Sequence, residues 1–238
     1  MTVSNRDAAI ERLVKQEKYN ITDLREVVSL LRGEGGCPWD MEQTHQSIRN
    51  DLIEETYEVV EAIDNRDASL LREELGDLLF QVIFHAQIEE EQNTFALDDI
   101  VSDVCAKMIH RHPHVFGTVQ VKNTGEVLKN WDAIKTEEKK RITLTDKLRA
   151  IPPMLPSLMR AQKVAKKSGV YENVSRESIA CDVMKNAEAL LRSDDQAEAI
   201  GALLMTVCAY AHTVGISAEE ILSLETNRFI DSLDGKEN

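Results

Sequence analysis

Residues 53–64 read "IEETYEVVEAID" and residues 74–84 read "ELGDLLFQVIF", two acidic segments whose other residues would suit a protein core. Their apolar residues recur with a helical period and do not alternate as in a strand, so both segments are predicted to be helices. Between them, "DNRDAS" at 64–69 predicts a tight turn, with Asp67 as the N-cap of the second helix. We therefore expect two antiparallel helices that lie side by side.

Two pairs of carboxylates are expected on facing sides of these helices. Glu55 and Glu58 are three residues apart, as are Glu74 and Asp77, so each pair lies on one face of its helix. Carboxylates that converge in an apolar bundle repel one another and lose hydration, unless a hard cation such as Mg²⁺ lies between them. Asp77 is the most informative of the four because the residues around it are almost all apolar. A single acid pair usually marks a solvated helix surface, but two pairs on adjacent helices indicate a metal site.

The remainder of the chain is also predicted to be helical. Aromatic residues make up 5% of it, and no stretch alternates convincingly as a strand. The segment "GEGGCPWD" at 33–40 is predicted to be a loop, in which Pro38 prevents any continuation of the preceding helix. Helices are expected at about 5–18, 22–33, 47–64, 68–92, 97–111, 124–140, 155–168, 177–192, 195–214 and 217–232. The predicted fold class is all-α.

A proline-rich break divides the chain. The segment "RAIPPMLPS" at 149–157 carries three of the five prolines and predicts a boundary. The first domain would span residues 1–148, and the second would span residues 149–238.

The two domains resemble each other over a short stretch. "EELGDLLFQVIFHAQ" at 73–87 aligns with "EAIGALLMTVCAYAH" at 198–212, with Gly76 on Gly201, which predicts two tandem related helical units. In the second unit the acidic positions are lost: Ala199 replaces Glu74, Ala202 replaces Asp77, Lys185 replaces Glu54, Asn186 replaces Glu55 and Ala189 replaces Glu58. We therefore expect the second domain to be a degenerate copy that packs but performs no chemistry.

Composition limits the classes of partner. The chain carries 28 basic and 42 acidic residues, so its net charge is 28 − 42 = −14, which disfavours nucleic acid and anionic lipid as partners. A small phosphorylated ligand is still compatible, because a bound divalent cation reverses the local charge. Four scattered cysteines suit a reducing compartment, and no segment approaches the roughly 18 apolar residues of a membrane span. The expected location is the cytoplasm.

Several motifs together resemble the MazG family of nucleoside triphosphate pyrophosphohydrolases. They are, in chain order, "GGCPWDMEQTH", "LIEETYEVVEAID", "EELGDLLFQVIFHAQ", "RHPHVFG" and "VLKNWDAIKTEEK". The resemblance runs from about residue 20 to residue 141 and continues weakly beyond. It implies an all-α dimeric bundle that uses Mg²⁺ to hydrolyse an NTP or dNTP to the monophosphate and pyrophosphate. On the matching positions, the implied metal ligands are Glu55, Glu58, Glu74 and Asp77, with Glu54 as a neighbour or auxiliary base.

Candidate substrate contacts lie outside the acidic helices. Lys107 and Arg111 are one helical turn apart and are predicted to hold the triphosphate. Trp131 and Lys135, four residues apart, are candidates for stacking on the base and for a further phosphate contact, although a Trp on such a helix more often belongs to the core. The family usually has two arginines before the His-Pro-His motif, and His110 stands in the first of these places. That departure affects phosphate binding and leaves the reaction class unchanged.

Two other functions remain compatible with the sequence. One is a catalytically silent helical module that binds nucleotides or regulates a partner. The other is a related all-α pyrophosphatase that acts on a non-nucleotide phosphate ester. Product analysis with Mg²⁺ across a panel of nucleotides distinguishes them.

Overall fold

The computed structural model describes residues 3–138 and 143–234, and all regular secondary structure in these two ranges is helical. The helices are α1 (Val3–Lys15), α2 (Ile21–Arg32), α3 (Pro38–Glu42), α4 (Arg49–Asn65), α5 (Ala68–Glu91), α6 (Leu97–Arg111), α7 (Pro113–Phe116), α8 (Thr124–Glu138), α9 (Leu144–Arg149), α10 (Ser157–Ser168), α11 (Arg176–Ala189), α12 (Gln196–Thr213) and α13 (Ala218–Asp234). The predicted all-α class is confirmed, and every predicted helix has a counterpart within a few residues. The last two residues of the helix predicted at 124–140 lie outside the described ranges.

Two prolines begin short helices. The predicted loop at 33–40 is wrong at its end, because α3 begins at Pro38 and Cys37 is its N-cap residue. In the same way, Pro113 begins α7 directly after α6 has ended. Proline is favoured at the first position of a helix, where its missing N–H has no intrahelical partner to lose.

The connection between α4 and α5 is as short as the sequence predicts. Arg66 adopts a left-handed conformation with φ of 55°, and its N–H donates to the carbonyls of the last turn of α4. The Asp67 carboxylate then accepts hydrogen bonds from the backbone N–H groups of Ser69 (2.9 Å) and Leu70 (3.1 Å). The predicted N-cap is confirmed, and the turn lets α4 pack along α5.

The first compact unit, Met1–Val127, is built around α5. This helix packs against α4, α2 and α6. The core consists of apolar side chains that are at most 8% exposed: Val28, Ile48, Ile83, Phe84, Ala86, Ile88 and Leu97. At the edge of this core, the Arg32 guanidinium lies 5.0 Å from the Phe84 ring centre and forms an ion pair with Glu91 at 2.8 Å.

The second compact unit, Leu128–Asn238, is built around α12, which packs against α10, α11 and α13. The Gln162 side chain joins α10 to the start of α13, because it donates to the Ile216 carbonyl (2.7 Å) and accepts from the Ala218 N–H (2.9 Å). The two compact units divide after Val127, before the domain boundary predicted at 148/149. That domain boundary stays a prediction. Among the described residues, no helix alone has the length and apolarity to cross a membrane; α12 and α13 reach them only as a pair, bent by 107°.

Each of the four buried positions of α12 matches a buried position of α5. On α5 these include Glu74, Gln81, Ile83 and Phe84. On α12 they are Ala199, Thr206, Cys208 and Ala209, which have the same spacing and the same offset as Gly76 and Gly201. The pattern supports the prediction of two related units.

Candidate metal centre

Three carboxylates meet where α4 packs against α5. Glu55 and Glu58 come from α4 and Glu74 comes from α5, and one oxygen from each side chain lies within 4.8 Å of the other two. Glu74 is buried, with 9% of its surface exposed, and Glu55 is half-buried. Within residues 3–138 and 143–234, no other three His, Cys, Asp or Glu side chains are arranged in this way. The geometry allows one cation to contact all three carboxylates.

Asp77 lies next to this group without belonging to it. It is exposed, one turn after Glu74 on α5, and its charge raises the pKa of both Glu55 and Glu74. The sequence suggested a buried position, because its neighbours are apolar. The nearby Leu75 and Leu79 are 49% and 40% exposed, because no other part of the described chain covers this side of α5.

The cluster is electrostatically costly in the absence of a cation. Burial is the main cause of a raised pKa for Glu55, and the charges of Asp77 and Glu58 add to it. Burial also raises the pKa of Glu74, followed by the charges of Glu58 and Asp77. The three clustered carboxylates and Asp77 offer oxygen ligands, which is the type that Mg²⁺ prefers.

The raised pKa values of Glu55 and Glu74 predict how stability depends on pH in excess chelator. Such carboxyls bind more protons in the folded state than in the unfolded state, so they stabilise the protein as the pH falls from 7 towards their ordinary pKa of 4.5. His85 acts in the opposite direction, because burial lowers its pKa. Comparing wild type with the double variant Glu55→Gln/Glu74→Gln isolates the effect of the two glutamates, because His85 is present in both proteins.

Thermal unfolding in chelator between pH 7 and pH 5 measures this effect. The variant is expected to exceed wild type in Tm at pH 7, and the difference is expected to shrink as the pH falls. Equal Tm values at pH 7, or a difference that does not change with pH, would contradict the electrostatic description of the cluster.

The remaining candidate residues lie on three different helices. Glu54 is exposed on α4, directly before Glu55. On α6, which packs against α5, Lys107 is exposed and Arg111 is buried. The second unit contains the other two candidates, both half-buried on α8: Trp131 and Lys135, whose Nζ atom lies 5.0 Å from the Trp131 ring centre.

A histidine pair that no sequence pattern indicated connects the segment before α4 to α5. His45 Nδ1 and His85 Nδ1 share a hydrogen bond of 2.7 Å, and the two rings are stacked. The other nitrogen of His45 lies 2.7 Å from a carboxylate oxygen of Glu89. His85 and Glu89 are one turn apart on α5 and so share a face, but that spacing is too common on helices to indicate a pairing with His45. The pair fixes the chain just before α4 against α5, and so helps to position Glu55 and Glu58.

Comparison with known proteins gives a consistent result. The family model described as "MazG nucleotide pyrophosphohydrolase domain" matches residues 43–116, which include the three clustered carboxylates. The Nucleoside triphosphate pyrophosphohydrolase of Escherichia coli strain K12 is 39% identical over 212 residues, 82% of this chain and 78% of that protein. The Nucleoside triphosphate pyrophosphohydrolase/pyrophosphatase MazG of Thermotoga maritima is 33% identical over 229 residues, 92% of this chain and 86% of that protein.

A further relative matches this chain over only part of its own length. The uncharacterized protein YabN of Bacillus subtilis is 44% identical over 156 residues, which are 64% of this chain and 32% of the Bacillus protein. The Escherichia and Thermotoga proteins, by contrast, are similar to this chain over most of their length. From these similarities and the matching domain, the chain belongs to the MazG family of nucleoside triphosphate pyrophosphohydrolases.

Proposed function

We propose that the protein hydrolyses nucleoside triphosphates, ribo or deoxyribo, to the monophosphate and pyrophosphate in a reaction that requires Mg²⁺. The observation that carries this proposal is the approach of Glu55, Glu58 and Glu74 to within 4.8 Å of one another across two helices. Membership of the MazG family supports it, as do the activities in the names of the Escherichia and Thermotoga relatives.

The carboxylate cluster suits a hard divalent cation. Its three donors are carboxylate oxygens, the ligand type that such a cation prefers. One of them belongs to Glu74, whose side chain is buried on α5. A bound Mg²⁺ would neutralise phosphate charge and lower the pKa of an attacking water. We propose Glu55, Glu58 and Glu74 as its ligands, with Asp77 completing the set from the exposed side.

Other side chains would bind the substrate and assist proton transfer. Glu54 is exposed beside Glu55, and we propose it as an auxiliary base for the water. Lys107 and Arg111 lie on the helix that packs against α5, and we propose them as contacts for the triphosphate. Trp131 and Lys135, four residues apart on α8, are proposed to contact the base and a phosphate.

We also propose that the protein is a homodimer. Along α4, Ile53, Tyr57 and Val60 are 42%, 55% and 45% exposed, at spacings of four and three residues that form one stripe. Leu75, Leu79 and Val82 form a second stripe on α5 with the same spacing, and they are 49%, 40% and 37% exposed. Two adjacent apolar stripes on paired helices are typical of a protein interface. A second copy related by a two-fold axis would cover both stripes and complete a four-helix bundle.

Product analysis tests the proposed reaction. Full-length protein incubated with Mg²⁺ and a panel of common ribo- and deoxyribonucleoside triphosphates is expected to yield monophosphate and pyrophosphate in equal amounts, as measured by ³¹P NMR. Excess chelator is expected to stop the reaction, because the carboxylates alone cannot neutralise the triphosphate. Release of diphosphate and orthophosphate would contradict the proposal. Absence of turnover on every nucleotide would favour the silent module or the pyrophosphatase of a non-nucleotide ester.

A further inference from the structure

The second unit contains a large basic cavity. Its volume is about 1070 Å³, and its walls come from α8, α9, α10, the start of α11 and the end of α12. Six basic side chains line it: Lys135, Lys147, Lys163, Lys166, Lys167 and Arg176. Among the residues that the structure describes, two carboxylates lie on the same walls, those of Asp132 and Glu172.

This charge is opposite to that of the whole protein. The lining carries 6 − 2 = +4, whereas the complete chain carries −14. Cations that line one concave surface repel one another, and they raise the local concentration of anions. A concentration of positive charge in so acidic a protein indicates an anionic ligand.

Local helix structure explains only part of this arrangement. Lys166 and Lys167 are in the last turn of α10, where cations interact favourably with the helix dipole. Lys163 is further from that end, and Arg176 is the first residue of α11, where the dipole disfavours a cation. In the part of the chain that the structure describes, the side chains of Lys147, Lys163, Lys166 and Arg176 form no ion pair or hydrogen bond. Intramolecular pairing therefore does not account for them.

We propose that this cavity binds the phosphate chain of a small phosphorylated molecule, with a nucleoside polyphosphate as the ligand that best fits its walls. The volume of about 1070 Å³ lies just above the range of roughly 300–1,000 Å³ typical of small-molecule sites, so a ligand as large as a nucleotide can be accommodated. Tyr171 supplies an aromatic wall for a base. A nucleic acid polymer is disfavoured because the rest of the protein is strongly acidic.

The cations that define this site differ from those proposed to act in hydrolysis. Trp131 and Lys135 also line the cavity, but the proposal rests on Lys163, Lys166 and Arg176, which have no part in the proposed reaction. The second unit would then bind a nucleotide without hydrolysing it. This agrees with the loss of acidic residues from its equivalent positions.

Isothermal titration calorimetry in excess chelator tests the site. The full-length Glu74→Gln variant is titrated with inorganic tripolyphosphate and, separately, with ATP, so that neither Mg²⁺ nor the intact carboxylate cluster contributes. Binding of one ligand per chain is expected. Adding Lys163→Gln/Lys166→Gln is expected to weaken binding roughly tenfold or more, because two charge-assisted contacts to phosphate are lost. Arg176→Gln provides a second, separate variant with an expected loss in the same direction.

The matched control is Lys122→Gln/Lys129→Gln, which removes two exposed lysines that do not line the cavity. Its affinity is expected to equal that of the Glu74→Gln parent. Tighter binding of ATP than of tripolyphosphate would support the role of Tyr171 as a wall for the base, whereas equal affinity would restrict recognition to the phosphate chain. Absence of binding, or binding that survives both the lysine and the arginine substitutions, would overturn the proposal. Failure of the hydrolysis assay would leave this result unaffected, because no turnover is measured.

Discussion

Replacement of Glu74 by Gln is expected to lower kcat/KM for nucleoside triphosphate hydrolysis by roughly a thousandfold or more. Glu74 is the buried carboxylate of the cluster and the one that α5 contributes to it. Glutamine preserves its shape but removes a negative charge, which weakens the binding of a divalent cation by the cluster. Without the cation, the charge that develops on the phosphates is not neutralised. Steady-state kinetics at saturating Mg²⁺ measure the loss.

The control for this experiment is Glu61→Gln, the same change at an exposed position of α4 outside the cluster. It is expected to retain wild-type turnover. Unfolding does not explain a loss in Glu74→Gln, because this variant removes repulsion and is expected to be at least as stable as wild type in chelator. Activity within tenfold of wild type in Glu74→Gln, or an equal loss in Glu61→Gln, would show that the site has been misplaced.

Replacement of Leu79 by Glu is expected to convert the proposed homodimer to a monomer at micromolar concentration. Leu79 is in the middle of the apolar stripe on α5, between Leu75 and Val82. A two-fold interface would bury the new carboxylate of each copy, so a single substitution introduces two unpaired charges. Light scattering over a range of concentrations measures the mass of both proteins.

Val14→Glu provides the control for the dimer experiment. Val14 is a 79% exposed residue of α1, on another helix of the first unit, and its replacement is expected to leave the dimer intact. A monomeric wild type would refute the dimer. A Leu79→Glu variant that remains dimeric would refute the proposed interface on α4 and α5.

The local features of the acidic helices were predictable from the sequence. The turn and its cap depend on interactions between near neighbours, as the hydrogen bonds of Asp67 show. Once that turn forms, helical spacing brings Glu55 and Glu58 to Glu74 without further information. Periodicity and capping were sufficient for this part of the candidate site.

The environment of Asp77 was not predictable in the same way. Apolar residues that recur with a helical period indicate that one face of the helix is buried, but they do not show which element covers that face. The sequence of α5 is apolar on several sides, and only the structure distinguishes the covered side of Ile83 and Phe84 from the exposed side of Leu79.

The basic cavity was also beyond the reach of sequence patterns. Its cations are distributed over four helices, and each one alone is typical of a solvated surface. Lys147, Lys163 and Arg176 come together only when α9, α10 and α11 pack in the second unit. Side chains that meet through tertiary packing leave no local spacing for a pattern to detect.

Anomalous diffraction from crystals of the full-length protein grown with Mn²⁺ in place of Mg²⁺ tests directly whether the carboxylate cluster binds a divalent cation. An anomalous peak is expected between α4 and α5, at a coordinating distance of roughly 2.0–2.2 Å from carboxylate oxygens of Glu55, Glu58 and Glu74. The same crystals of the Glu74→Gln variant are expected to lack that peak or to show it greatly weakened. A Mn²⁺ concentration that supports hydrolysis but leaves no peak at these three residues, or places the ion elsewhere, would contradict the account.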